Sequence, residues 1–205
     1  MQLVVGIDPG FDGAFVVIDA ETKRLVVVYE MPIYVVEKKK TRKVRKNEKF
    51  AGIRKTKSYV AHERNINVEE LVRLAQRWDA KHTTAYLERV HARPMEGVTS
   101  SFRFGESFGI VKGVLTALGI PITLVEPSRW TKEMHGGLSR DMEAKDRSVV
   151  AARRLFPEVN FVVEGSRQVH AGLVDASLIG MYGCLDTRGE LHGERGNRDE
   201  RDGED

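Results

Sequence analysis

The feature that most constrains this chain lies at its start, where three short runs of branched apolar residues follow one another with almost nothing between them. "QLVVGID", "GAFVVID" and "RLVVVYEMP" are split only by "PGFDG" and "AETK". Runs this short, rich in Val and Ile and bounded by turn residues, predict strands, and connections this tight predict an antiparallel meander. Gly10 and Gly13 stand where the first turn needs them.

The pattern then changes period. "NVEELVRLAQRWDAKH" predicts an amphipathic helix with Asn67 as its N-cap and Val68, Leu71, Val72, Ala75 and Trp78 as its apolar stripe. "TTAYLERV" predicts a fourth strand, "SSFRFGESFGIVKGVLTALG" a helix and "IPITLVEP" a fifth strand. "RDMEAKDRSVVAARRLFPE" predicts a helix stopped by Pro157, and "VHAGLVDASLIGMYGCL" a final apolar helix packed on the sheet. Gly105, Gly109 and Gly113 recur on one helix face, which predicts close approach of another backbone. This order gives an α/β fold: a mixed five-stranded sheet, its first three strands antiparallel, flanked by helices.

The 205 residues suffice for one core, expected over 1–185, with an insertion at about 37–64 and a disordered charged tail over 186–205. One Cys excludes an intramolecular disulfide. No stretch approaches a membrane span, and the N-terminus lacks a signal-peptide pattern, so a soluble cytoplasmic protein is expected. The net charge of +3 conceals an uneven distribution. Residues 37–65 hold twelve Lys or Arg against three Glu. The stretch reads either as a solvated, disordered loop or as an arm that meets phosphates through Lys38, Lys39, Lys40, Arg42, Lys43, Arg45 and Lys46. Phe50, Tyr59 and Val60 would let it order in part.

Carboxylates occupy telling places. Asp8 ends the first strand and Glu88 the fourth, and functional groups gather at strand ends in α/β sheets. Asp175 lies inside the apolar run "GLVDASLIG", where an acid is normally paired or metal-bound, and His170 is just upstream. Taken singly, Asp8 also reads as a turn residue, Glu88 as a surface partner of Arg89 or Arg93, Asp175 as a solvent-facing position and His170 as structural. Taken together, three acids on an apolar frame suit Mg²⁺ or Mn²⁺. Two such ions about 3.5–4 Å apart serve phosphodiester cleavage.

"GIDPGFDGA", "YLERVHARPMEGVTSSFRFGESFGIVKGVL", "PITLVEPSRWTKEMHG", "KDRSVVAARRLFP" and "HAGLVDASLIGMYG" occur in that order. The set resembles the phage and bacterial branch of RuvC-like Holliday junction resolvases, over roughly residues 2–185 apart from the basic arm. The resemblance implies an RNase H-like fold and a homodimer that cuts four-way DNA junctions with two Mg²⁺ or Mn²⁺ ions per site. It matches Asp8, Glu88 and Asp175 to the family's catalytic acids. A further acid, usual three or four residues before the last, is replaced here by Ala171 and Gly172, and His170 is the nearest substitute. Lys132 and Lys145 match basic positions near the family's active site, though each also reads as an ordinary surface lysine. His91 and Phe102 fall in the loop by which the family approaches the crossover, where they are available to stack on a base; Phe102 reads equally as core. The expectation is a junction-resolving endonuclease of a bacterial or phage-infected cell. The alternatives are a related nuclease acting on other branched DNA or RNA–DNA hybrids, and a weakly active or non-catalytic junction-binding protein. An actin-like ATPase would need a second phosphate loop and more chain.

Overall fold

The structure is a computed structural model and describes residues 1–45, 56–91 and 97–191. In chain order, β1 (Leu3–Asp8), β2 (Ala14–Asp19) and β3 (Leu25–Glu30) form the expected meander. β4 (Ile33–Lys43) and β5 (Thr56–Ile66) follow, then α1 (Val68–Ala75), β6 (Thr83–Glu88), α2 (Val98–Ala117) and β7 (Ile122–Val125). Three helices end the described chain: α3 (Pro127–Met134), α4 (Ala144–Leu155) and α5 (Ala171–Thr187).

The main sheet has the order β3-β2-β1-β6-β7. β1 is central, antiparallel to β2 and parallel to β6, with β7 parallel to β6. Alternation along each strand feeds a separate core on each face. Val4, Val16, Ile18 and Tyr86 join Trp130, Phe156, Leu178 and Ile179 under α3, α4 and α5. Val5, Ile7, Phe15, Val17 and Leu87 join Leu71, Val111 and Leu115 under α1 and α2. Each such aliphatic side chain contributes about 1.5–3 kcal/mol by leaving water.

α5 lies flush on β1. A Cβ at Gly6 would stand 2.1 Å from the Ala176 carbonyl oxygen and 2.3 Å from the Gly180 nitrogen. A Cβ at Gly172 would stand 2.1 Å from the carbonyl oxygen of Asp12, in the β1–β2 turn. The close approach expected of Gly105, Gly109 and Gly113 is absent among the described residues: a Cβ at any of them meets nothing there within 4 Å. The buried side of α2 is Ser107, Val111 and Leu115. Two residues advance about 200° around a helix, so the glycines face outward.

Three other expectations change. The described parts of the basic stretch form strands, β4 and β5 pairing antiparallel from Ile33↔Ile66 to Lys43↔Thr56, in place of a wholly disordered loop. α3 was not expected at all. α1 ends at Ala75, although Asn67 caps it as expected and accepts the Glu70 N–H at 3.1 Å. Trp78, just beyond it, is still buried, 5.8 Å from Phe15 between ring centres. At the other end α5 runs to Thr187, Leu191 is buried and Glu190 meets Lys23 at 2.5 Å. Residues 186–191 therefore belong to the folded part, and the remainder of the expected tail, 192–205, lies outside the described residues. Among the described residues no helix is long and apolar enough to cross a membrane.

Candidate active site

Parallel pairing of β1 with β6 ends at Ile7↔Leu87, so the residues that follow, Asp8 and Glu88, leave adjacent strands side by side. Asp8 is both a turn residue and a site residue: its Oδ1 accepts the Gly10 N–H at 3.0 Å, which shapes the turn and aims the carboxylate. Ser107 on α2 donates its hydroxyl to the Pro9 carbonyl, fixing the same turn from behind. Glu88 Oε1 accepts the indole N–H of the buried Trp130 at 2.9 Å.

Asp175 faces these two from α5. Its pKa is pushed up to about 7, first by burial, then by the charges of Asp8 and Glu88. A hydrogen bond from Ser148 and the charge of Lys145, both on α4, act in the opposite direction. The buried Ser148 hydroxyl also lies 3.1 Å from His135 Nε2. Burial, and then Arg147, hold His135 below its ordinary pKa. The three acids thus form one electrostatic centre made of oxygen donors, the chemistry that suits a hard divalent cation. They do not form a closed cage: among the described residues no group of three or more His, Cys, Asp or Glu stands close enough to hold an ion.

His170 is placed elsewhere. It caps α5, with Nδ1 accepting the Leu173 N–H at 3.1 Å and Nε2 3.6 Å from Glu30 Oε2. Its two ring nitrogens thus have partners other than the three acids, and Nδ1 satisfies one of the orphan amides of the helix start.

The remaining residues fall into two groups. Lys145 reaches the acids electrostatically, whereas Lys132 is simply exposed on α3. His91 Nε2 lies 2.7 Å from Glu126 Oε2, and Arg89 Nε lies 3.1 Å from Oε1 of the same Glu126, so the segment after Glu88 is fastened to the end of β7. Phe102 is 73% exposed, which excludes the core reading. Lys38 pairs with Glu63 at 2.8 Å. Lys39, Lys40, Lys43 and Arg45 are exposed, and Arg42 donates to the Lys43 carbonyl at 3.2 Å. Lys46 lies outside the described residues.

Trp130, His135 and Ser148 were missed from the sequence, as were Asp12, Arg64 and Arg103 at the root of the hairpin. All of these but Arg64 lie inside quoted motifs, but nothing in one sequence marks a Trp or Ser as a carboxylate partner.

No protein-family model and no curated protein matches the chain. Two solved structures of Thermus thermophilus RuvC do. One matches at 16% identity with a TM-score of 0.48, and the other, RuvC in complex with Holliday junction substrate, at 13% with a TM-score of 0.52. Each covers 93% of this chain and 98% of RuvC. By strand order, sheet polarity and flanking helices, this chain has the RNase H-like α/β fold seen in RuvC.

Proposed function

We propose that the protein is a divalent-metal-dependent endonuclease that cuts branched DNA, four-way junctions foremost, and that it acts as a homodimer of the phage and bacterial RuvC-like type. The observation that carries this reading is the coupling of Asp175 to Asp8 and Glu88 at the ends of adjacent parallel strands. Two acids on a sheet edge and a third on the helix across it form a partly dry, self-repelling set that divalent charge would relieve. Bound there, two ions would supply Lewis acidity to an attacking water and to the leaving oxygen.

The chain's own residues hold and aim the acids. Trp130 pins one oxygen of Glu88, Gly10 one oxygen of Asp8, and Ser148 engages Asp175. Lys145 adds a positive charge where a phosphate would approach. The basic hairpin supplies sequence-independent affinity for the backbone. Exposed Phe102 and His91 are placed to stack on an unpaired base. A four-way junction is two-fold symmetric and needs two cuts, which suits a C₂ dimer, and the open glycine face of α2 is the surface offered for it.

The absence of a closed ligand cage favours one second reading, a junction-binding protein without catalysis. A synthetic mobile four-way junction incubated with Mg²⁺ or Mn²⁺, with products mapped on every strand, separates the two. Paired symmetric nicks are expected. Tight binding with no nick in either metal would leave only the binding role. Equal cutting of an RNA–DNA hybrid would make the protein a nuclease of broader substrate.

A further inference from the structure

Among the described residues the hairpin forms no ladder with the main sheet, yet its root is fastened to the turn that follows Asp8. Arg64 of β5 gives both terminal nitrogens to the two carboxylate oxygens of Asp12, Nη2 to Oδ2 at 2.9 Å. Arg103 of α2 donates to Glu63 Oε1 at 3.1 Å and to the Arg64 carbonyl. Phe11 lies against both guanidinium groups, its ring centre 4.9 Å from Arg103 and 5.9 Å from Arg64. At the foot of the hairpin the Asn67 N–H reaches the Pro32 carbonyl at 2.8 Å, and Met31 and Ile66 are buried. The Arg64–Asp12 fork and Arg103 of α2, with Phe11 between them, therefore hold β5 to the turn that follows a candidate catalytic acid.

Stability alone does not account for this arrangement. Asp12 is 78% exposed and Arg64 42%, and exposed ion pairs add little to folding. What a bidentate fork adds is direction. The part of the hairpin beyond the root is built to use that direction. Lys38, Lys40 and Arg42 alternate onto one face, and Lys57, opposite Arg42, joins them. Glu63 near the root shares that face and pairs with Lys38, so Lys40, Arg42 and Lys57 are the cations it offers beyond the root. Same-face neighbours on an antiparallel strand are about 6.8 Å apart. A row of cations at this spacing can follow the phosphates of a duplex laid along the hairpin. A cleft of about 350 Å³ between the hairpin root and α2, lined by Phe11, Lys40, Arg64, Thr99, Arg103 and Phe104, continues this face toward the Asp8 turn.

We propose that Arg64 and Arg103 are positioning residues that lock the cationic hairpin in register with the carboxylate centre, making it a ruler for the nucleic-acid backbone leading away from the cut. The proposal rests on the nucleic-acid-binding part of the function proposed above. The eight residue steps from Val35, opposite Arg64, to Lys43 reach about 27 Å, or about eight base pairs along a duplex axis, beyond the latch.

The test is hydroxyl-radical footprinting of a four-way junction with the full chain in the absence of divalent ions, read beside cleavage at saturating protein with Mn²⁺. The wild type should protect one arm outward for about eight base pairs. Asp12→Arg and Arg64→Asp should each blur the outer half of that footprint, weaken binding no more than about fivefold, and scatter the cut over neighbouring phosphates. The double swap, Asp12→Arg with Arg64→Asp, should restore both footprint and cut position, which a merely structural role would not predict. Arg103→Gln is an independent route to the same blur, with hydrogen exchange of the β4 and β5 amides showing that the hairpin still forms. A sharp footprint in every single variant, or a double swap that restores nothing, overturns the ruler. A protein that shows the latch-dependent footprint but never cuts supports the ruler and overturns the nuclease reading. A protein that binds no DNA overturns both.

Discussion

Trp130 donates its indole N–H to Oε1 of Glu88 at 2.9 Å from a ring only 3% exposed. The acid is therefore oriented by a core residue, and packing in one layer fixes chemistry at the edge of another. Trp130→Phe keeps most of the apolar volume and deletes the donor. Cleavage should fall about 10–100-fold, as for partners that orient metal-binding groups. Stability should fall by about 1–2 kcal/mol for the lost buried hydrogen bond. Single-turnover cleavage and urea unfolding of the same variant check the two effects, and an unchanged rate would remove Trp130 from the site.

Asp8→Asn, Glu88→Gln and Asp175→Asn each delete one negative charge at almost constant volume. In Asp8→Asn the amide oxygen still accepts from Gly10, so the turn should survive. Each variant should lose cleavage by orders of magnitude while binding the junction at near wild-type affinity. A variant that cuts at the wild-type rate identifies an acid that holds no ion.

Asp175 also predicts a pH signature in metal-free protein. Its pKa is raised from 3.8 to about 7, so the folded state holds the proton more tightly than the unfolded chain does. Stability from this group is then greatest below about pH 4, falls as pH rises toward 7 and is flat above. The total is about 4 kcal/mol, at about 1.4 kcal/mol per pKa step. Asp175→Asn should match the wild type at pH 4 and exceed it by about 2–4 kcal/mol at pH 8 in EDTA. Adding Mn²⁺ at pH 8 should raise the melting temperature of the wild type and leave that of the variant unmoved.

The glycines divide into two kinds, and substitution separates them. Gly6→Ala drives a methyl into the backbone of α5 and should cost about 3 kcal/mol or more. Gly109→Leu enters open space and should leave the melting temperature of the isolated subunit nearly unchanged. If the α2 face joins two copies, the folded variant sediments as a monomer. A folded Gly109→Leu dimer places the interface elsewhere.

The legibility of each element tracked how local its signal was. The meander, β6, β7 and α5 announced themselves because their apolar runs are contiguous and their turns tight. The hairpin did not, because both its faces are largely charged or polar and its apolar residues Tyr34, Val35, Tyr59 and Val60 are themselves exposed, so no core-facing apolar period marks it in the sequence. α3 was lost because only Trp130 and Met134 of its eight residues are buried. In the site, Asp8, Glu88 and Asp175 stood out as acids against apolar neighbours. His170 stood out by proximity in sequence, but its nitrogens went to a helix cap and to Glu30. Glycine spacing misled in the same way: four-residue recurrence in α2 marks an outer face, while the tightest contacts that require glycine are at Gly6, Gly13, Gly172 and Gly183, scattered over β1, the turn after it and α5.

The flush seat of α5 on β1 also bears on when during synthesis the proposed site is assembled. The acids at positions 8, 88 and 175 belong to segments made at different times, and the last rides on a helix that also helps cover one face of the sheet. A ribosome-bound chain that has not yet released α5 has that face partly uncovered and two acids without their counterpart. Folding and the proposed cleavage activity thus arrive together, with the release of α5. Chains stalled before Ala171 should be harmless to a junction and quickly degraded, which pulse-chase of stalled chains beside a junction-cutting assay would show.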